Sequence, residues 1–135
     1  MANVLYDKGR EGFLDGSIDW DSDDIRVILI DTDDYSVDLA NHDNLDDIPA
    51  GARVATSGAL TGKSVTNGVA DADDVVFGSV SGDQCEALVI YKHTGNESTS
   101  RLIAYIDSAT GLPVTPNGGD ITVEWDNGSN KIFKL

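Results

Sequence analysis

From Ile25 onward the chain is a succession of short apolar runs, each cut off within a few residues by Gly, Asn, Asp or Pro. Such a rhythm leaves no room for long helices; it is the spacing of short strands in an all-β domain. "IRVILID" (25–31) is near-continuously apolar, as expected for a strand buried in a sandwich. "EALVIYKH" (86–93) and "SRLIAYIDS" (100–108) are two further strands, linked by the hairpin-type loop "TGNEST". "ARVATSGAL" and "KSVTNGVADADDVVFGSV" supply shorter strands between turns, and "ITVEWD" (121–126) and "KIFKL" follow after "ATGLPVTPNGGD" and "NGSN". "NHDNLDDIPAG" (41–51) reads as a loop or a single helical turn ended by Pro49. Helix is expected only near the start, over about 8–14, capped by Asp7, closed by Gly16 and weakened by two internal glycines. The expectation is one domain spanning residues 1–135. It is a β-sandwich or barrel-like fold of about seven or eight short strands, with a short N-terminal helical segment.

A chain of 135 residues can bury a modest core without staples. Its single cysteine, Cys85, excludes an intrachain disulfide, and its place in the strand-like "QCEALVIY" makes it a small core residue. The formal net charge is −15, from 24 acidic and 9 basic residues. That sign argues against nucleic acid, where affinity comes largely from Lys and Arg on phosphates, and against anionic membrane surfaces. It fits a self-repelling, highly soluble protein, or one that docks onto a basic surface. Runs such as "VILI" (27–30) are far too short to cross a bilayer. "MANVLYDKGREGF" has no apolar stretch of signal-peptide type, so export by the Sec route is not expected.

"SGALTGKS" (57–64) comes within one residue of a phosphate-binding loop: Gly62, Lys63 and Ser64 stand in order, but Ser57 occupies the slot of the first glycine. Gly58 comes one position too late. A working loop opens into a helix whose N-terminus cradles the phosphates. Here "VTNGVADADDVVF" follows, with β-branched residues and the turn pair Asn67-Gly68. The stretch is therefore expected to be a turn, with Lys63 facing solvent at a strand start.

Acidic clusters recur at "DWDSDD" (19–24), "DTDD" (31–34), "DNLDD" (43–47) and "DADD" (71–74). Asp19, Asp21 and Asp23 have the first three spacings of an EF-hand, but the sixth position is Asp24 where glycine is required and the twelfth is Ile30 where glutamate is required. An EF-hand is excluded; an irregular calcium site and solvated, turn-capping carboxylates both remain open. No nucleophile elbow is present, and the two histidines, His42 and His93, fall in an acidic loop and at a strand end, as surface residues would. The sequons "NES" (96–98) and "NGS" (127–129) matter only in a secreted eukaryotic protein. The residues thus designate no catalytic, cofactor-binding or metal site, and no enzyme is expected. Trp20, set between carboxylates, fits a core poorly and is a candidate docking residue.

Several longer stretches carry a resemblance: "LYDKGREGFLDGSIDW", "IRVILIDTDDY", "DDIPAGARVATS", "EALVIYKHTGNESTSRLIAYID" and "ATGLPVTPNGGDITVEWDNGSNKIFKL". In these the chain resembles a family of small virion proteins of tailed bacteriophages, over nearly its whole length. The resemblance implies a structural protein without enzymatic activity, made in the host cytoplasm and carried on the virion. The first role it suggests is head decoration: a cement protein on the outer surface of the head, binding the major capsid protein and associating with further copies on the lattice. A tail component such as a fibre, collar or baseplate domain is the alternative, although the chain has no repeat or coiled-coil stretch. A calcium- or carbohydrate-binding module is a third possibility, of another class. A cement protein needs segments that add to a neighbour's sheet edge, and "MANVLY" and "KIFKL" are the candidates, unless each completes its own sheet.

Overall fold

A computed structural model describes residues 4–107, 112–125 and 131–135. Strand dominates, in three antiparallel sheets, with one α-helix and two 3-10 turns. β1 (Val4–Leu5), β2 (Ile25–Ile30), β3 (Arg53–Thr56), β7 (Ala87–Lys92) and β8 (Leu102–Ile106) form a five-stranded sheet in the order β1-β8-β7-β2-β3. β4 (Ser64–Thr66), β5 (Val69–Asp71) and β10 (Phe133–Lys134) form a second, in the order β10-β5-β4, and β6 (Val75–Phe77) pairs with β9 (Ile121–Val123). The ten strands among the described residues exceed the expected seven or eight because the 64–77 stretch splits into three and the N-terminal segment adds β1. None of these sheets closes on itself among the described residues.

Strands β2 and β7 run side by side with Val27 opposite Ile90, Ile28 opposite Val89 and Leu29 opposite Leu88. Directly opposed residues share a face. Ile25, Val27, Leu29, Leu88 and Ile90 therefore enter one apolar cluster, while Ile28, Ile30, Ala87, Val89 and Tyr91 enter the other. Both faces are buried, which is why these strands read as unbroken apolar runs with no alternation. The first face is covered by residues of the two small sheets together with Phe13, Ile18 and Trp20. The second is covered by Tyr6 and by the 31–52 segment, through Tyr35, Leu45, Ile48 and Ala52. Within it, 41–51 reads from the sequence as a loop or a single helical turn ended by Pro49; two 3-10 turns, Leu45–Asp47 and Ala50–Ala52, form there, and the segment acts as a packed cover. Arg53 fastens it: its guanidinium donates to the Leu45 and Ile48 carbonyls and to Glu97 Oε1 at 2.7 Å, holding that carboxyl below its usual range.

The helix, α1 (Asp7–Leu14), begins one residue earlier than expected. Tyr6 stands at the N-cap without a side-chain cap bond, and Asp7 lies in the first turn, where its charge favours the helix dipole. Both helical glycines are buried. At β8, Ile90 faces Ala104 but Tyr91 faces Leu102, leaving Ile103 as an extra residue, a bulge. Its carbonyl accepts the Tyr6 N–H at 3.0 Å, and a Cβ on Gly9 would stand 2.8 Å from that same oxygen. Glycine is thus the residue that lets α1 lie directly against the bulge.

The hairpin β4–β5 turns through Asn67 and Gly68, both at positive φ (53° and 79°), the tight two-residue turn that Asn-Gly predicts. The terminal segments complete this chain's own sheets: Val4 and Leu5 pair with β8, and Phe133 and Lys134 with β5. Leu5 and Tyr6 are buried, so the described part of the proposed N-terminal arm, Val4–Tyr6, belongs to this chain's own fold, and Met1–Asn3 lie outside the described residues.

Candidate functional site

The near-P-loop runs from the end of β3 to the start of β4, so a strand and not a helix follows it. Ser57 is buried, and its hydroxyl accepts the Val27 N–H at 2.9 Å and donates to the Gly58 carbonyl. The residue in the first-glycine slot is therefore a structural hydroxyl that extends the β2–β3 ladder. Lys63 is a correction to the expectation of a solvent-facing residue: it is half-buried, and its ammonium donates to the Asp23 carbonyl.

Trp20 corrects the sequence reading more sharply. It is 4% exposed and packs into the core, where the sequence reading had it fit poorly. Its indole N–H donates to the Asp71 carbonyl at 3.0 Å, and Phe133 meets it edge-to-face at 5.2 Å. Trp125 does the same one step along the chain, donating to the Asp73 carbonyl at 3.0 Å while its own N–H bonds Asp74. The "DADD" cluster is thus where two indoles pin the β5–β6 connection. Asp73 also accepts the Thr61 hydroxyl.

The remaining acidic clusters also serve the fold. Asp23 accepts the Asp19 N–H at 2.7 Å and pairs with Lys92 at 3.2 Å, closing a single turn. Arg26 holds Asp24 in a two-bond fork, both at 3.0 Å, which keeps that carboxyl below its usual range. Among the described residues, two trios bring three carboxylates within 4.8 Å of one another: Asp31 with Asp34 and Asp83, and Asp43 with Asp46 and Asp47. The set of Asp19, Asp21 and Asp23 with EF-hand spacing is not one of them. One member of each trio, Asp31 and Asp47, already accepts a backbone N–H, of Asp33 and Asp43 respectively.

The histidines are more deeply placed than expected. His42 is half-buried, stacked on Tyr35, and its Nδ1 accepts the Asp38 N–H at 3.2 Å. With Nδ1 an acceptor, the Tyr35 hydroxyl donates to it at 2.9 Å and Tyr6 in turn donates to Tyr35 at 2.8 Å. Burial pushes the Tyr35 phenol up to about 12, and raises that of Tyr6 as well. This chain of hydroxyls has no local sequence signature, because its members lie far apart and meet only under the cover segment. His93, also half-buried, lies edge-on to Tyr91. Cys85 is fully buried, as expected of a core residue, and burial first, then nearby carboxylates, push its thiol up to about 11. At neutral pH the folded protein should resist iodoacetamide under conditions that label the urea-unfolded chain completely; equal labelling rates would show that Cys85 is not held in the core.

One surface feature stands out. A groove of about 390 Å³ runs between the end of α1, the 18–21 loop and the β10-β5-β4 sheet. Phe13, Ile18, Trp20 and Phe133 line it, Val65 and Leu135 form its open walls, and Asp19 and Asp21 stand at its rim. Those two carboxyls hydrogen-bond each other, which lowers Asp19 and raises Asp21. A second cavity of about 270 Å³ lies between β9 and the large sheet, against Leu29, Leu88 and Val123. No helix among the described residues is long and apolar enough to cross a membrane. No protein-family model matches the chain, and no curated protein matches its sequence.

Proposed function

We propose that this is a non-enzymatic structural protein of a tailed-phage virion, acting as a capsid decoration (cement) protein. In this reading it is made in the bacterial cytoplasm and sits on the outer surface of the head. There it binds the major capsid protein, lies beside further copies on the lattice, and stabilises contacts between capsid subunits. The two small sheets over one face of the large one serve as the second layer of a sandwich.

The observation that carries the reading is where the chemically able side chains are spent. The His42 imidazole, the Cys85 thiol, Ser57, Lys63 and Asp23 are each tied into holding the fold. That allocation suits a protein that works as a rigid body. The resemblance of the longer stretches to phage virion proteins supports the setting, and a charge of −15 turns the surface away from nucleic acid and anionic membranes.

The test is copy number in purified virions, by quantitative mass spectrometry against the major capsid protein, with heads and tails separated. The expected result is copies in the head approaching the number of capsid subunits. A few copies travelling with the tail or one vertex would overturn the cement role and favour the tail-associated one.

A further inference from the structure

We propose that the groove beside α1 docks a partner segment in which an aromatic side chain stands next to an arginine. The inference rests on the groove alone and holds wherever in a virion, or outside one, the chain works.

Single exposed apolar residues are ordinary, whereas clustered ones mark contact surfaces. Among the described residues the large apolar side chains left exposed are Leu14, Val65, Val76 and Leu135. Val65 and Leu135 are walls of the groove, at 54% and 58% exposure, and Leu14 follows directly on the groove residue Phe13. Two of the four therefore line this one groove.

The lining then selects the side chain. Phe13, Phe133 and Trp20 form a run of rings in contact, at 5.7 Å and 5.2 Å between centroids. Aromatic faces and edges in that arrangement favour a further ring over a polar or short aliphatic group.

The rim selects the neighbour. Asp19 and Asp21, both exposed, place two carboxylates at the mouth of the groove. A guanidinium, with its planar fork of donors, can bridge two carboxylates and remove the repulsion between them. Among the described lysines, Lys63 gives its ammonium to the Asp23 carbonyl and Lys131 pairs with Asp71. Lys134 lines a different hollow, together with Lys131, Ser64 and Thr66. A second copy is a poor occupant, because it would bring one charge of −15 against another.

The test is titration of the 15N-labelled full chain with acetyl-Arg-Trp-Arg-amide, followed by amide chemical shifts, with acetyl-Glu-Trp-Glu-amide as control. The expected result is saturable, millimolar-range shifts confined to 13–21, 65–70 and 133–135, weakened about tenfold in Asp19→Asn/Asp21→Asn. Val65→Ser should weaken binding as well, whereas Asp33→Asn/Asp34→Asn, which removes the same charge elsewhere, should not. Four results would overturn the proposal: no saturable shifts, equal binding of the acidic peptide, equal loss in both double variants, or groove signals that broaden with protein concentration alone. The last would put a second copy in the groove.

Discussion

Replacing Trp20 by alanine is expected to cost about 3–5 kcal/mol of folding stability, the range for emptying a buried aromatic site. Trp20 is nearly fully buried and lies against Phe133, which itself leans on Phe13. Removing the indole opens a cavity between α1 and the β10-β5-β4 sheet and leaves the Asp71 carbonyl without its donor. Trp20→Phe separates the two contributions: it keeps most of the ring volume and loses the N–H, so it should cost about 1 kcal/mol from the hydrogen bond. Urea unfolding followed by circular dichroism reads both. A change in Trp20→Ala no larger than that of an exposed substitution would mean that Trp20 is not a core residue in solution.

Gly9→Ala should destabilise the protein, against the direction that helix propensity predicts. In an exposed helix interior this substitution gains about 1 kcal/mol. Here the added methyl would lie 2.7 Å from the Leu102 carbonyl oxygen, 2.8 Å from that of Ile103 and 2.9 Å from the Ile103 Cα. All three are backbone atoms in a paired strand, so none can swing aside, and overpacking of this kind costs about 1–3 kcal/mol. Either α1 lifts off the bulge or the β1–β8 edge shifts with it. Gly12→Ala should cost less, since its clash is with the flexible tip of the Ile18 side chain. Thermal unfolding of the two variants beside the unmodified protein gives the comparison. A stabilised Gly9→Ala would show that α1 does not sit on β8 as described.

Gly9 also marks where sequence reading stops. From residues alone the two glycines weaken a helix; in the fold they are what allows it to dock. Trp20 was misread for a related reason. Its neighbours in sequence, Asp19 and Asp21, are exposed, and nothing local shows that the Asp71 carbonyl and the Phe133 ring wait for it. The groove was invisible for the same cause, since its walls come from residues 13–21, 65–70 and 133–135. The only available hint was the set of aromatic residues, which sequence order scatters.

What the sequence determined by itself was local. The apolar runs of β2, β7 and β8, the Asn67-Gly68 turn, the core cysteine and the missing helix after Ser64 all follow from backbone and side-chain preferences within a few residues. The tertiary structure decided what covers each face. An unbroken apolar run says that both sides of a strand are buried, but it does not say by what. One face took two small sheets, and the other took a segment with hardly any regular structure. Burial is a property of surfaces brought together from distant parts of the chain, and no window of neighbouring residues contains both surfaces.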